Sequence, residues 1–512
     1  MNNTMRRFYR RGLLPRPEDS PARGGSRDKP SPTTQILALA ACLLLSACAT
    51  SPDRSAVPEI DHPSAWTTQS SNQAPTAWLE DFASPELEAL IAEAIANNPN
   101  LEATAARFTE SLAEAQIAGA DLMPSAGLGL KGTRQQISTF GPTSTGGVIF
   151  ENYDLSLNVS WELDIWGRLR DRTAAALAQA EARIAELRGA KLSLAAQTTK
   201  SWFNVIEANQ QFDFAESTAQ SYAKDQQTLE SRFKRGLNTG FEVRRIRTLA
   251  ANSLADVANR QRGLDVATRN LEILLGRYPE GELIAEPLLP SLPKQVPAGL
   301  PAELLERRPD LIAAERQLAA TEKELTASKK DRLPQISLTA STGNSTQVFD
   351  DLLDGDFSVW SLAGNLAQPI FQGGRLIANV DRNASIRDQA AANYRDIALR
   401  AFLEVETTLA AEAYFRNEYK SLRLAAEEAV AAEALAREQY RNGIGDFTGT
   451  LDALRSADVA QSRLLSLRNR LLQNRIDLYL ALGGSFSNET TFVGASLETP
   501  AEAQAKPSSL RN

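Results

Sequence analysis

From Arg168 to Arg235 the chain runs about 68 residues without a proline and with a single glycine, Gly189. Proline breaks a helix interior because it lacks the N–H and clashes with the preceding turn. A run this long without one predicts a continuous α-helix, roughly 100 Å from end to end. Such a helix does not fit inside an ordinary globule. The stretch that feeds it has another period. Tyr153, Leu155, Leu157, Val159, Trp161 and Leu163 alternate with Asp154, Ser156, Asn158, Ser160 and Glu162. One face is apolar and the other polar, at period two. A two-faced strand of membrane-spanning length thus enters an overlong helix through Ile165-Trp166-Gly167-Arg168.

The same unit occurs twice. Pro99-Asn100-Leu101 matches Pro309-Asp310-Leu311, and Asp121-Leu122-Met123-Pro124 matches Asp331-Arg332-Leu333-Pro334, both at an offset of 210. Further on, Ile165-Trp166-Gly167-Arg168-Leu169 resembles Phe371-Gln372-Gly373-Gly374-Arg375-Leu376. Arg235-Gly236 then matches Asn442-Gly443, and Leu275-Gly276 matches Leu482-Gly483, at an offset of 207. Shared helical composition could imitate a period, but it does not keep Pro, Gly and strand punctuation in register. Each half reads as a helix (about 99–122 or 310–332) stopped by Pro124 or Pro334, then two strands. These are expected at about 125–135 and 152–163, and at about 335–343 and 358–369. A long helix, a turn and a return helix (about 241–275 or 446–482) complete the unit. The two short helices of the first half together nearly equal the long one, so they are expected end to end beside it. Trp78–Asn98 and Arg277–Arg308 would then sit at mid-height, the latter largely non-helical because it carries six prolines from Pro279 to Pro301.

Composition narrows the chemistry. The only histidine is His62 and the only cysteines are Cys42 and Cys48, all near the N-terminus. The body therefore offers no His- or Cys-based metal or catalytic site. Formal net charge is −8 with basic residues dispersed, which argues against nucleic acid as a partner. With no convincing nucleophile–base set and no phosphate-cradling glycine loop, an enzyme is the least favoured class.

Arg6, Arg7, Arg10 and Arg11 precede an apolar run, Ile36 to Leu45. About ten residues are too few to span a bilayer but suit a signal-peptide core. The run ends in Leu45-Ser46-Ala47-Cys48, which resembles the bacterial lipobox. The resemblance implies a signal peptide over 1–47 and a covalent lipid on Cys48, with no other cofactor expected. An ordinary signal peptide with a chance cysteine is the plain alternative, Met5 is an alternative start, and Arg6-Arg7-Phe8 hints weakly at twin-arginine export. The residue after Cys48 is Ala49, not aspartate, which points to the outer membrane. One lipidated end is a modest anchor, so the body is expected to make its own membrane contact. Residues 48–77 read as anchor and extended linker, and 485–512 as a disordered tail.

Four amphipathic strands of about ten residues have the length and alternation of outer-membrane strands. Four cannot close a barrel, and an open sheet in hydrocarbon leaves backbone groups unsatisfied. Two copies would give eight strands around a filled interior. Three would give twelve and leave a lumen. The soluble alternative is a small sandwich between coiled-coil arms. Trp161, Trp166 and Trp360 near strand ends suit an interfacial belt, or else core packing.

The lipobox, the duplicated strand–strand–long-helix–return-helix plan and the Gly373-Gly374-Arg375 junction together resemble the TolC-like outer-membrane efflux factors, lipoprotein branch. The resemblance covers about residues 78–484: a first repeat over 78–276, a crossover over 277–308 and a second repeat over 309–484. It implies a membrane α+β fold with four transmembrane strands per protomer, closing as a homotrimeric 12-stranded barrel continued by a periplasmic α-helical barrel. The implied role is the passive exit duct of a tripartite efflux pump. A periplasmic adaptor and an inner-membrane pump, expected to be proton-driven, would be partners, with outer-membrane lipid around the barrel. A type I protein-secretion duct is the alternative in the same class, and a periplasmic coiled-coil structural lipoprotein the alternative in another.

A duct needs a closed end that opens on command. The far turns, Lys234 to Phe241 and Asn442 to Phe447, carry glycines that support helix reversal. By resemblance, the segment after the second turn holds the periplasmic gate: Asp452, Arg455 and Thr448. Arg244, Arg245 and Arg247 on the first hairpin are possible partners. Asp452 and Arg455 lie three apart on one helix face, and the plain reading is a solvated pair worth roughly 0.2–0.5 kcal/mol. Gly167, Gly373 and Gly374 are assigned to the strand–helix junctions.

Overall fold

The computed structural model describes residues 84–138, 147–284 and 301–484, together with 58, 65–67, 82, 286 and 288–291. The signal peptide, Cys48, the linker and the C-terminal tail lie outside the described residues. Each half of the chain builds two short helices, two strands, a long helix and a return helix. In the first half these are α1 (Pro85–Asn97), α2 (Pro99–Ala120), β1 (Ser125–Ser138), β2 (Gly147–Leu163), α3 (Arg168–Lys234) and α4 (Gly240–Leu274). In the second they are α5 (Pro301–Arg307), α6 (Pro309–Lys330), β3 (Gln335–Thr346), β4 (Ser358–Ala367), α7 (Arg375–Arg441) and α8 (Phe447–Ala481). Both long helices run 67 residues unbroken. Two short 3-10 turns join β3 to β4.

The four strands form one antiparallel sheet in chain order. Its register sets Leu128 opposite Leu157, Leu155 opposite Asn344, Trp161 opposite Leu338 and Ala340 opposite Leu362. Because strand side chains alternate, this pairing puts the apolar residues on one face. Leu128 and Leu130 lie there with Leu155, Leu157, Val159 and Trp161, then Ile336 and Leu338, and Trp360, Leu362 and Leu366. The opposite face carries Asp154, Ser156, Asn158, Glu162, Ser337, Thr339 and Asn365. Much of the apolar face is exposed in the single chain, and β1 and β4 are unpaired edges. Trp161 sits at the helix end of the sheet and Trp360 near the loop end, with Tyr153 stacked edge-on against Phe349 at 5.5 Å. Among the described residues no helix is long and apolar enough to cross a membrane.

The expected end-to-end stacking is met by a shared joint. Asn98 accepts hydrogen bonds from Asn100 N and Leu101 N at 3.0 and 3.1 Å, capping α2. Its Nδ2 also donates to the carbonyl of Leu274, the last residue of α4, at 3.0 Å. One side chain thus satisfies the start of one helix and the end of another. In the second half Arg308 takes this position. It donates to Ala481 O at 3.0 Å and to Glu404 at 2.7 Å. The backbones approach so closely that a Cβ on Gly276 would lie 2.4 Å from Asn97 O, at a φ of 75° that glycine alone adopts easily.

The main core lies at this level. Trp202, Phe203, Val205 and Ile206 of α3 meet Leu87 and Ile91 of α1, Leu311 of α6, Val405 of α7, and Ile476 and Tyr479 of α8. The helix over 85–97 was not among the elements expected from sequence. Ser84 caps it, accepting from Leu87 N, and Pro85 starts it. The described part of 277–291 is non-helical and α5 occupies 301–307, so the crossover ends in a short helix.

Candidate functional site

The candidate residues fall in two regions, the junction of the sheet with the long helices and the far turns. At the first junction Gly167 has φ 74°, and the Asp164 carboxylate accepts from Leu169 N and Arg170 N at 3.1 and 2.9 Å, satisfying the first turn of the helix. Ion pairs brace the turn. Arg168 reaches Glu162 at 2.7 Å and Asp331 at 3.4 Å, Arg172 reaches Asp331 at 3.0 Å, and Lys330 bonds Asp171. The Trp166 indole N–H donates to Pro334 O at 2.7 Å. At the second junction Gly373 and Gly374 have φ values of 56° and 83°. There Arg375 bonds only its neighbour Gln372, at 2.5 Å, among the described residues.

At the far end Gly236 and Gly443 adopt left-handed φ values of 72° and 76°, and the helices reverse. Thr239 and Glu242 form a reciprocal capping box at the start of α4, and Asp446 caps α8 by accepting from Gly449 N. An apolar cluster joins the two hairpins: Tyr222, Leu229, Ile246, Ala250, Phe447, Leu451 and Leu454. Around it run polar links from one hairpin to the other. Arg437 meets Asp225 at 2.9 Å, Asn238 donates to Tyr440 Oη at 2.7 Å, and the Tyr222 hydroxyl donates to Asp458 at 2.6 Å.

The structure distributes the six gate candidates unevenly. Arg245 donates to Thr448 Oγ1 at 3.2 Å and stands 3.8 Å from the Asp452 carboxylate, bridging the first hairpin to the second. Its guanidinium also lies 5.8 Å from the Phe241 ring. Arg247 pairs with Glu230 of its own hairpin at 2.8 Å. Arg244 has no ion pair among the described residues. Arg455 does not pair with Asp452. It lines a cleft of about 500 Å³ between α3, α4 and α8, with Tyr222, Arg260 and Asp458. The Arg245–Asp452 contact is long and partly exposed, so in one chain it is worth at most about 1 kcal/mol. Among the described residues no cluster of three or more His, Cys, Asp or Glu is arranged to hold a metal.

Sequence reasoning missed the Tyr222–Asp458 and Arg437–Asp225 links, because each residue reads alone as part of a solvated helix face. Burial between the hairpins raises the Asp458 carboxyl above its ordinary 3.8, outweighing the Tyr222 hydrogen bond that opposes it. Burial also raises the Tyr222 phenol, and the neighbouring Asp458 adds to the shift. A raised carboxyl contributes stability that is complete below its unfolded value and is lost as pH rises through the higher folded value. Ionisation of Asp458 as pH rises therefore weakens the hairpin contact. Asp458→Asn, which keeps an acceptor for Tyr222, is expected to unfold at a higher temperature than the parent at pH 7. The difference should shrink on acidification and vanish below the ordinary value of 3.8. A difference independent of pH would rule out this origin.

Comparison with known proteins places these features in a lineage. The family model described as outer membrane efflux protein matches residues 90–277 and 300–484. The probable efflux pump outer membrane protein SepC of Pseudomonas putida is 31% identical over 412 residues, covering 80% of this chain and 86% of that protein. The outer-membrane channel OprN superposes with a TM-score of 0.77 at 26% identity, over 86% of this chain and 99% of that one. The open state of the Neisseria gonorrhoeae MtrE outer membrane channel superposes with a TM-score of 0.73 at 26% identity, over 84% and 99%.

Proposed function

The chain belongs to the outer membrane efflux protein family, and from that premise we propose that three copies form a continuous exit duct for small molecules, opened at its far turns. The carrying observation is the sheet. Its four strands put a continuous apolar face on one side, a polar face on the other and an open edge at each end. An apolar face of this kind suits lipid, a polar face suits an aqueous lumen, and open edges in hydrocarbon demand partners. Three copies supply twelve strands, with β4 of each pairing with β1 of the next. The long helices then continue the wall on the periplasmic side.

In this reading the protein performs no chemistry. Its task is to stay shut until engaged. Threefold repetition would set the far turns around one axis and bring three Asp452 carboxylates together. Like charges in a narrow site repel unless cations balance them. Arg245, against Thr448 and Asp452, supplies that balance and links the two hairpins of each copy. A periplasmic adaptor that drew Arg245 away would free the second hairpin to move. The energy would come from an inner-membrane pump, for which proton drive is our proposal, and a lipid on Cys48 would add a tether. The efflux relatives favour a small-molecule cargo over a secreted protein.

The test is electrical. Purified protein in planar bilayers should give small, infrequent conductance steps, and Arg245→Ala or Asp452→Ala should raise the single-channel conductance several-fold. Absence of any channel from a stable membrane-embedded trimer would overturn the duct. Unchanged conductance in both variants would overturn the gate and leave the duct standing.

A further inference from the structure

The cleft between the two hairpins ends in a cation that has nowhere to donate. Arg260 of α4 lines it, and the Arg260 Nε is sealed from solvent with no hydrogen-bond partner among the described residues. Asp256, one turn earlier on the same helix, stands 3.5 Å away and takes no hydrogen bond from it. Buried polar groups in native proteins are nearly always paired, and an acceptor from outside the chain is one way to meet such a donor. A second cavity of about 470 Å³ begins at the same point, since Gln211 and Arg260 line both.

The rest of the cleft has a definite polarity. The helices α4 and α8 both start at the far turns and run the same way. From Leu249 to Arg260 the cleft therefore extends about 16 Å along them. At the Arg260 end Arg463 of α8 also lines it, so two guanidiniums face one carboxylate, Asp256. Toward the far turn the cleft holds one charge of each sign, Arg455 and Asp458, and the Tyr222 hydroxyl already donates to Asp458 at 2.6 Å. Arg455 and Arg463 are exposed and have no ion pair or hydrogen bond among the described residues. Phe214, Ala215, Leu249 and Val459 give the walls an apolar part. The volume, about 500 Å³, lies within the range of about 300–1,000 Å³ usual for small-molecule sites.

We propose that this cleft binds an amphipathic organic anion, whose carboxylate or sulfonate accepts from Arg260 and Arg463 and whose apolar body lies along Phe214, Leu249 and Val459. A guanidinium suits such a head because its N–H groups match two oxygens at once. A neutral ligand would leave the Arg260 Nε unmet, and a small inorganic anion would leave the apolar wall wet. The occupant touches α3 and α4 of one hairpin and α8 of the other, so it joins them as the Tyr222–Asp458 link does. The site lies within one chain and stands apart from the duct reading and from assembly.

The probe is 2-naphthoate, a carboxylate on a two-ring apolar body, added to the full-length protein in an uncharged detergent. Its fluorescence titration should saturate, and the unfolding temperature should rise with its concentration. Arg260→Gln and Arg463→Gln should each weaken binding about tenfold or more, as expected when a charge-assisted hydrogen bond is lost. Arg463 has no partner in the fold, so its variant keeps the test decisive if Arg260→Gln fails to fold. The uncharged 2-naphthamide should bind at least about tenfold more weakly than 2-naphthoate. No saturable binding to the parent would overturn the site. Equal binding of 2-naphthamide, or unchanged binding in both variants, would overturn the anionic head, and equal protection by sulfate would overturn the apolar body.

Discussion

Leu157→Arg should leave the protein unable to hold its place in the outer membrane. Leu157 lies in the middle of β2, opposite Leu128 on one side and Thr342 on the other. Its side chain shares the apolar face with Leu130, Leu155 and Val159 and is exposed in the single chain; the 3-10 turn after β3 reaches that face only toward its loop end, where Phe349 stacks on Tyr153. If the face meets lipid, a cation there costs about 2–4 kcal/mol near the bilayer midplane. Three copies repeat the cost, to roughly 6–12 kcal/mol per assembly, which is comparable with the net stability of a whole domain. The control is one residue away. Asn158 points to the polar face, so Asn158→Arg puts the same charge toward water and should assemble normally. Membrane fractionation, with the trimer resolved from the monomer in mild detergent, distinguishes the two. If both variants assemble equally well, the apolar face does not meet lipid, and the barrel loses its main support.

How much of this was legible in the sequence depends on the range of the interaction. The strands and both long helices follow from local periodicity and from missing prolines, so Leu155, Leu157 and Val159 declare their common face without any partner. Strand order and register add only that the four apolar faces coincide. The helix over 85–97 was less legible, because its buried residues, Leu87, Leu90, Ile91 and Ala94, pack on an α3 surface more than a hundred positions away. The far end shows the same limit. Spacing of three along a helix suggests an Asp452–Arg455 pair, but Arg245 arrives from the other hairpin and Arg455 turns into the cleft. The repeat marks Asn98 and Arg308 as equivalent positions. It gives no hint that an amide and a guanidinium would both bond the end of a return helix, because that equivalence exists only once the return helices come back beside them; of the two, only Asn98 also caps the helix that follows it.

Glu412→Ala should destabilise the second hairpin by about 3–5 kcal/mol, the range for removing one partner of a buried ion pair. Arg475 of α8 is fully buried and bonds the Glu412 carboxylate of α7, which Arg416 also contacts at 2.8 Å. Leu409, Leu472, Ile476 and Tyr479 are buried on the same two helices, so Glu412→Ala takes the carboxylate from a guanidinium that solvent does not reach. The effect belongs to the lost carboxylate and not to the net worth of the pair. Glu412→Leu combined with Arg475→Leu should therefore recover most of the loss, since an apolar replacement of both partners removes the stranded charge. Chemical unfolding of the two variants beside the parent gives the comparison. In the proposed duct the joint also matters for the gate, because α7 and α8 lead from it to the far turn and to Thr448 and Asp452 at the start of α8. Loosening it should raise resting conductance without touching the turn, and the double substitution should restore both stability and closure. If Glu412→Ala costs less than about 1 kcal/mol, within the range of an exposed pair, then water reaches Arg475 and the two helices are not held together at this level.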